Sequence, residues 1–97
     1  MKLAQLFSVY PQLKWGDSAN QEVNSLCDDS RKVEAGSVFV AVKGLQSDGH
    51  KYLKQVVDAG AIGLVVEVSD DVPENFTGAV VVVSDSREAL NTLAGRF

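Results

Sequence analysis

Three short runs constrain the fold most: Ser37-Val38-Phe39-Val40-Ala41-Val42, Ile62-Gly63-Leu64-Val65-Val66-Glu67 and Ala79 to Val83. Each is rich in β-branched residues and almost free of polar interruption. A strand with one wet face alternates apolar and polar side chains, so runs like these belong in a sheet covered on both sides. The covers are legible around them. Ser47 or Asp48 can cap a helix through about Ala59, with Leu53, Val56 and Val57 on its inner face and Gly60 as its stop. Asp85-Ser86-Arg87-Glu88 has capping-box spacing, opening a last helix that turns Leu90, Leu93 and Ala94 inward. At the other end, Leu3, Leu6 and Phe7 are spaced for a helix over Lys2 to Val9, which Pro11 ends. Val23, Ser25 and Cys27 alternate with polar neighbours and predict a half-buried strand. The polar stretch 14–21 reads as a loop anchored by Trp15, and the acidic stretch Ser69 to Asn75 as a surface loop. Strands alternating with helices predict an α/β fold, a small layered domain with a central, largely parallel sheet flanked by helices.

Residues 1–97 make one domain of ordinary size, with 45% hydrophobic and 23% charged residues. No apolar run approaches the roughly 20 residues that span a bilayer. Gln5 and Ser8 interrupt any signal-like segment, so a cytoplasmic protein without membrane contact is expected. The net charge of −4 disfavours nucleic acid as a partner. A small anion is still allowed, because a few fixed N–H donors outweigh a diffuse field locally. The single Cys27 rules out an internal disulfide and reads as a small core residue. The single His50, in a first helical turn, reads as structural or surface, and one His makes no multi-His metal site. Neither a Gly-x-x-x-x-Gly-Lys-Ser/Thr loop nor a Gly-x-Ser-x-Gly elbow is present, and no catalytic set emerges.

What remains is a binding architecture. Ligands of parallel α/β sheets sit beyond the carboxyl ends of the strands. Two polar turns follow strands here: Asp28 to Arg31, and Gly44 to Ser47. Ser30 offers a hydroxyl, Gly44 allows close approach, and the helix beginning near Asp48 presents its positive end. Arg31 and Lys43 are the nearest cations. Spacing alone leaves two readings: a cleft for an anion or nucleotide diphosphate, or an Asx turn, a surface ion pair and a plain helix cap.

The wording of these turns adds a resemblance. Asp29-Ser30-Arg31-Lys32-Val33, then Ala35-Gly36-Ser37-Val38-Phe39-Val40-Ala41-Val42, Lys43-Gly44 and Asp48-Gly49-His50 resemble the N-terminal domain of the Mur ligases. Ala59-Gly60-Ala61, Val65-Val66-Glu67 and Asp85-Ser86-Arg87 through Ala89, Leu90, Leu93, Ala94 and Phe97 carry the likeness on, from about residue 22 to the end. Within the family the wording is most similar to the ligases that add the third peptide residue of the peptidoglycan precursor. The ligase adding the terminal dipeptide and a non-catalytic interaction module of the same fold are the alternatives.

The resemblance implies a domain that holds the uridine-diphosphate end of UDP-MurNAc-dipeptide. It assigns those contacts to Asp28, Ser30, Leu45, Gln46 and Ser47, with Arg31, Lys43 and Gly44 in support. Leu45 departs from the family, which often has a His there. Asp28 sets a carboxylate beside a diphosphate site, which suits the uracil or ribose side better. The resemblance places catalysis, ATP and Mg²⁺ on central and C-terminal domains that these residues do not include, with no cofactor in this one. It implies a part in cell-wall biogenesis, and so in cell shape and division. The end at Gly95-Arg96-Phe97 reads as a domain boundary.

Overall fold

A computed structural model describes residues 1–10, 20–43 and 48–97. The expectations on Pro11, Trp15, Gly44, Leu45, Gln46 and Ser47 lie outside the described residues. Strands β1 (Ser25–Cys27), β2 (Ser37–Val40), β3 (Gly63–Val66) and β4 (Ala79–Val82) form one sheet in the order β1-β2-β3-β4, every pairing parallel. The sheet is thus wholly parallel among the described residues. β2 and β3 are buried at every position, as their continuous apolar character demands.

The alternating side chains feed two cores. Val38, Val40, Val65, Ala79 and Val81 point to one face, which α1 (Leu3–Leu6) and α3 (Ser86–Arg96) cover with Leu3, Leu6, Ala89 and Leu93; Phe7, just beyond α1, joins them. Phe39, Ala41, Leu64 and Val66 point to the other, covered by Leu53 and Val56 of α2 (Leu53–Asp58). The connections 28–36 and 67–78 carry no α-helix. They lay Val33, Val72 and Phe76 against the α2 face and so do a helix's work with single apolar residues.

Two expectations of helix detail are corrected. The helix expected from Asp48 opens as a 3-10 turn, Gly49–Tyr52, before α2 begins. That turn is pressed onto the end of β2, where Gly49 N–H donates to the Val42 carbonyl at 3.0 Å. A Cβ on Gly49 would lie 3.0 Å from Ala41 Cα. In α3, Ala89 and Leu93 face the sheet, Leu90 is half-buried and Ala94 is exposed. Burial of Ser86 at the first turn sets that rotation, and Ala94 falls on the wet side of it.

The Arg96 guanidinium closes the far end of this layer. It donates to the carbonyls of Gln5 and Leu6 at 2.7 and 3.2 Å and to Ser8 Oγ at 2.7 Å. A cation at the exposed carbonyls of a helix end is favourable.

Candidate functional site

All four strands deliver their carboxyl ends to one edge of the sheet. The strand order is sequential, so among the described strands no reversal opens a crevice between them. The cleft is made differently, between the turn that leaves β1 and the 3-10 turn that follows β2. It has a volume of about 540 Å³ and is walled by Asp28, Asp29, Ser30 and Arg31 on one side and by Val42, Gly49, Tyr52 and Gln55 on the other.

The first wall is built locally. Asp29 caps the 3-10 turn Ser30–Lys32 by accepting from Arg31 N–H at 2.9 Å. The Arg31 guanidinium then grips the same carboxylate through Nε at 3.0 Å and Nη2 at 2.9 Å. Both features of the plain-turn reading, the Asx turn and the ion pair, are therefore present, and they coexist with a cleft. The pairing commits the Arg31 charge to Asp29 and leaves Asp28, exposed in the wall, without an ion-pair partner among the described residues. Such a wall suits the neutral, hydrogen-bonding part of a ligand better than a phosphate.

The Arg31 hydrogen bonds hold the Asp29 carboxyl down, from 3.8 to about 2. Stability from this shift is complete above pH 3.8 and is lost as the pH falls through about 2. The pair is solvent-exposed, so it contributes little to stability. Arg31→Gln is expected to return the Asp29 titration toward 3.8, as read from carboxyl carbon shifts against pH. An unchanged midpoint would show that the guanidinium is not the cause.

The second wall corrects an expectation. Asp48 does not present an open positive helix end, because its own carboxylate already accepts from His50 N–H at 3.0 Å. The α-helix behind it has only six residues. Lys43 and Asp48 face each other in an antiparallel bridge, which pins both flanks of segment 44–47. Of the residues assigned by resemblance, Asp28, Ser30 and Arg31 line the cleft, Lys43 stands exposed at the exit of β2, and Leu45, Gln46, Ser47 and Gly44 lie outside the described residues.

Sequence reasoning missed Tyr52 and Gln55. The signal was available: both fall outside the apolar stripe Leu53, Val56, Val57, and an aromatic on a polar helix face needs another reason to be there. Cys27, half-buried below this wall, has its thiol pushed up by burial and then by Asp28, which suits packing and not nucleophilic work. Among the described residues no group of three or more His, Cys, Asp or Glu side chains could hold a metal ion, and no helix is long and apolar enough to cross a membrane.

A parallel α/β domain with a polar cleft at the carboxyl edge of its sheet belongs to the class of small-ligand-binding domains. Residues 22–97 match the family described as "Mur ligase family, catalytic domain". The chain belongs to the Mur ligase family. It is 41% identical over 76 residues to the UDP-N-acetylmuramoyl-L-alanyl-D-glutamate--2,6-diaminopimelate ligase of Cytophaga hutchinsonii, covering 78% of this chain and 16% of that protein. The enzyme of the same name from Geobacillus thermodenitrificans is 41% identical over 99 residues, covering 100% of this chain and 19% of the relative. Among solved structures, MurF from Acinetobacter baumannii aligns with a TM-score of 0.71 at 31% identity, over 94% of this chain and 19% of that one. MurF ligase from Thermotoga maritima in complex with ADP aligns with a TM-score of 0.62 at 30% identity, over 77% of this chain and 18% of that one. The chain thus spans less than a fifth of the length of these relatives.

Proposed function

We propose that residues 1–97 are the substrate-binding domain of a UDP-N-acetylmuramoyl-tripeptide synthetase, holding the UDP end of UDP-MurNAc-L-Ala-D-Glu in the cytoplasm. The observation that carries the reading is the coincidence of two independent results. The cleft found from geometry is walled by Asp28 and Ser30, two of the five residues that the likeness to the family had assigned to the uridine end, and by Arg31, one of the three in support. The Asp28 carboxylate, without an ion-pair partner among the described residues, favours uracil or ribose against this wall, with the phosphates toward Lys43.

In this reading the domain performs no chemical step. The parent enzyme forms an amide bond after ATP, with Mg²⁺, converts the substrate carboxylate to an acyl phosphate that the incoming amine attacks. Those groups belong to central and C-terminal domains outside these residues, which lack a phosphate-binding loop. Anchoring the remote UDP handle contributes to catalysis by orienting the reacting carboxylate. The names of the most similar relatives favour 2,6-diaminopimelate as the residue added. The likeness to the MurF structures supports the second reading, the ligase adding the terminal dipeptide, but at 31% identity against 41% it is the weaker.

Titrating the ¹⁵N-labelled chain with UDP tests the site. Amide shifts are expected at Asp28 to Arg31 and Gly49 to Gln55, with weak affinity because sugar and peptide contacts lie elsewhere. Shifts confined to the other cleft on this edge, about 350 Å³ beside Tyr10, Ser84, Asp85 and Glu88, would overturn the assignment.

A further inference from the structure

His50 is the only histidine and is 6% exposed, and the cleft does not use it. Its ring joins two parts of the sheet edge. Nδ1 lies 2.6 Å from Asp48 Oδ1, and Nε2 lies 2.9 Å from the Glu67 nitrogen and 3.4 Å from that of Val68. A backbone N–H only donates, so Nε2 must carry a lone pair. The proton is therefore on Nδ1, aimed at the Asp48 carboxylate. The line continues past Glu67, whose Oε2 accepts from Ser86 N–H at 2.9 Å and Ser86 Oγ at 2.8 Å. Ser86 is buried at the first turn of α3. Side chains and the backbone amides of Glu67, Val68 and Ser86 thus tie together the exits of β2, β3 and β4.

We propose that His50 is a positioning residue: as the neutral Nδ1–H tautomer it fastens the 3-10 turn Gly49–Tyr52 to the amino end of α3, and its protonation undoes that fastening. An imidazolium would aim Nε2–H at the N–H of Glu67, donor against donor, from a ring that is only 6% exposed. The Asp48 side of the ring would hold or tighten, while the Glu67 side would part. The charged groups that act on the ring are Asp48 from its own turn and Glu67 from the exit of β3; Lys43 acts on Asp48, and Asp85 acts on Glu67. The consequence for ligand binding rests on the function proposed above, because Gly49 and Tyr52 of the fastened turn line the cleft.

The test uses the ¹⁵N-labelled 97-residue chain. At about pH 8 the ring nitrogens are expected to show a protonated Nδ1 and an unprotonated Nε2, and on lowering the pH to about 5 the amides of Asp48, Glu67 and Ser86 should move with the ring's own midpoint. In Glu67→Ala the Ser86 amide should stop following the ring while Asp48 continues. An Nε2-protonated ring, separate midpoints, or a Ser86 amide that still follows in Glu67→Ala would each overturn the proposal.

Binding is read with UDP-N-acetylglucosamine, whose phosphates are both esterified and do not ionise in this range. Its affinity should fall about tenfold between those pH values, the scale of one lost hydrogen bond. In His50→Gln, which keeps an acceptor for Glu67 but has no ring to reach Asp48, affinity should start about 3- to 10-fold weaker and stay flat with pH. Equal affinity and an equal pH profile in His50→Gln would overturn the positioning role. Failure of the wild-type chain to bind would instead overturn the proposed function. In that case, or if His50→Gln does not fold, the wild-type ring and amide titrations still decide the fastening.

Discussion

Phe39→Ala is expected to lower the unfolding free energy by about 3–5 kcal/mol. Phe39 sits in the middle of β2 with no exposed surface, paired with Cys27 on one side and Leu64 on the other. Its ring packs in the cluster of Leu53, Val56, Leu64 and Val66 that joins α2 to the sheet. Truncation removes buried apolar surface and leaves a cavity between a strand and a helix that are both held elsewhere, so the site collapses poorly. Domains of this size have roughly 5–15 kcal/mol in total, and the variant would lose about a fifth or more of that. Urea denaturation followed by far-ultraviolet circular dichroism should show a lower midpoint with an unchanged slope. Phe39→Leu, which keeps most of the volume, should cost less than about 1.5 kcal/mol. A loss under 1 kcal/mol for the alanine variant would mean that this face does not hold the domain together.

The second large effect comes from backbone geometry. Gly60 ends α2 with φ +108, a conformation that side chains rarely tolerate. A Cβ there would lie 2.8 Å from Ala35 Cα and 3.1 Å from Ala35 N, and backbone of this kind has no rotamer to move into. The two turns are also bonded, Gly36 N–H donating to the Gly60 carbonyl at 3.1 Å. Strain and overpacking together put Gly60→Ala at about 2–4 kcal/mol. Gly36 also has positive φ, at +88, but there the obstacle is the exposed side chain of Asn24, which can swing away at the loss of its bond to the Ala35 carbonyl. Gly36→Ala should therefore cost less, about 1–2 kcal/mol. Thermal melts separate the two, since each kcal/mol moves the midpoint by about 4–8 °C in a domain this small. An equal loss at both positions would show that φ alone, and not the approach to Ala35, governs the cost.

Acid should act on the sheet edge as well as on Asp29. The Asp48 carboxyl is held below its ordinary range first by the His50 N–H, and that of Glu67 first by the Ser86 N–H. Both shifts are downward, so their stabilisation is full above the usual carboxylate range and fades as pH drops through the lowered values. Neutral conditions keep these two helix-end contacts intact.

Different parts of the chain were legible for different reasons. Unbroken apolar runs announced β2, β3 and β4, and the cap at Asp85 was confirmed by its bond to Glu88 N–H at 3.1 Å. The second carboxylate at that helix end is Glu67, which arrives from another strand. No local pattern could name it, because capping-box logic looks only three residues ahead. The rotation of α3 was misjudged for a related reason: Ala94 and Ala89 are equally apolar, and burial of Ser86 against Glu67 chooses between their faces. Asp29 and Arg31, two residues apart, were within reach of local reasoning about turns. Tyr52 and Gln55 reach the cleft only because the connection from β1 folds over to meet them.

The order of residues by itself determined that this chain makes a buried parallel sheet with helical covers, since period and apolar character are properties of contiguous segments. Its wording also carried the family, through Asp29-Ser30-Arg31 and Asp48-Gly49-His50. Only the tertiary structure decided which groups act together. The cleft between Asp28 and Tyr52, and the line from Asp48 through His50 and Glu67 to Ser86, join residues from separate strand exits. Hydrogen bonds and cavities depend on distances of a few ångströms between such exits, and sheet order and register, not spacing along the chain, set those distances.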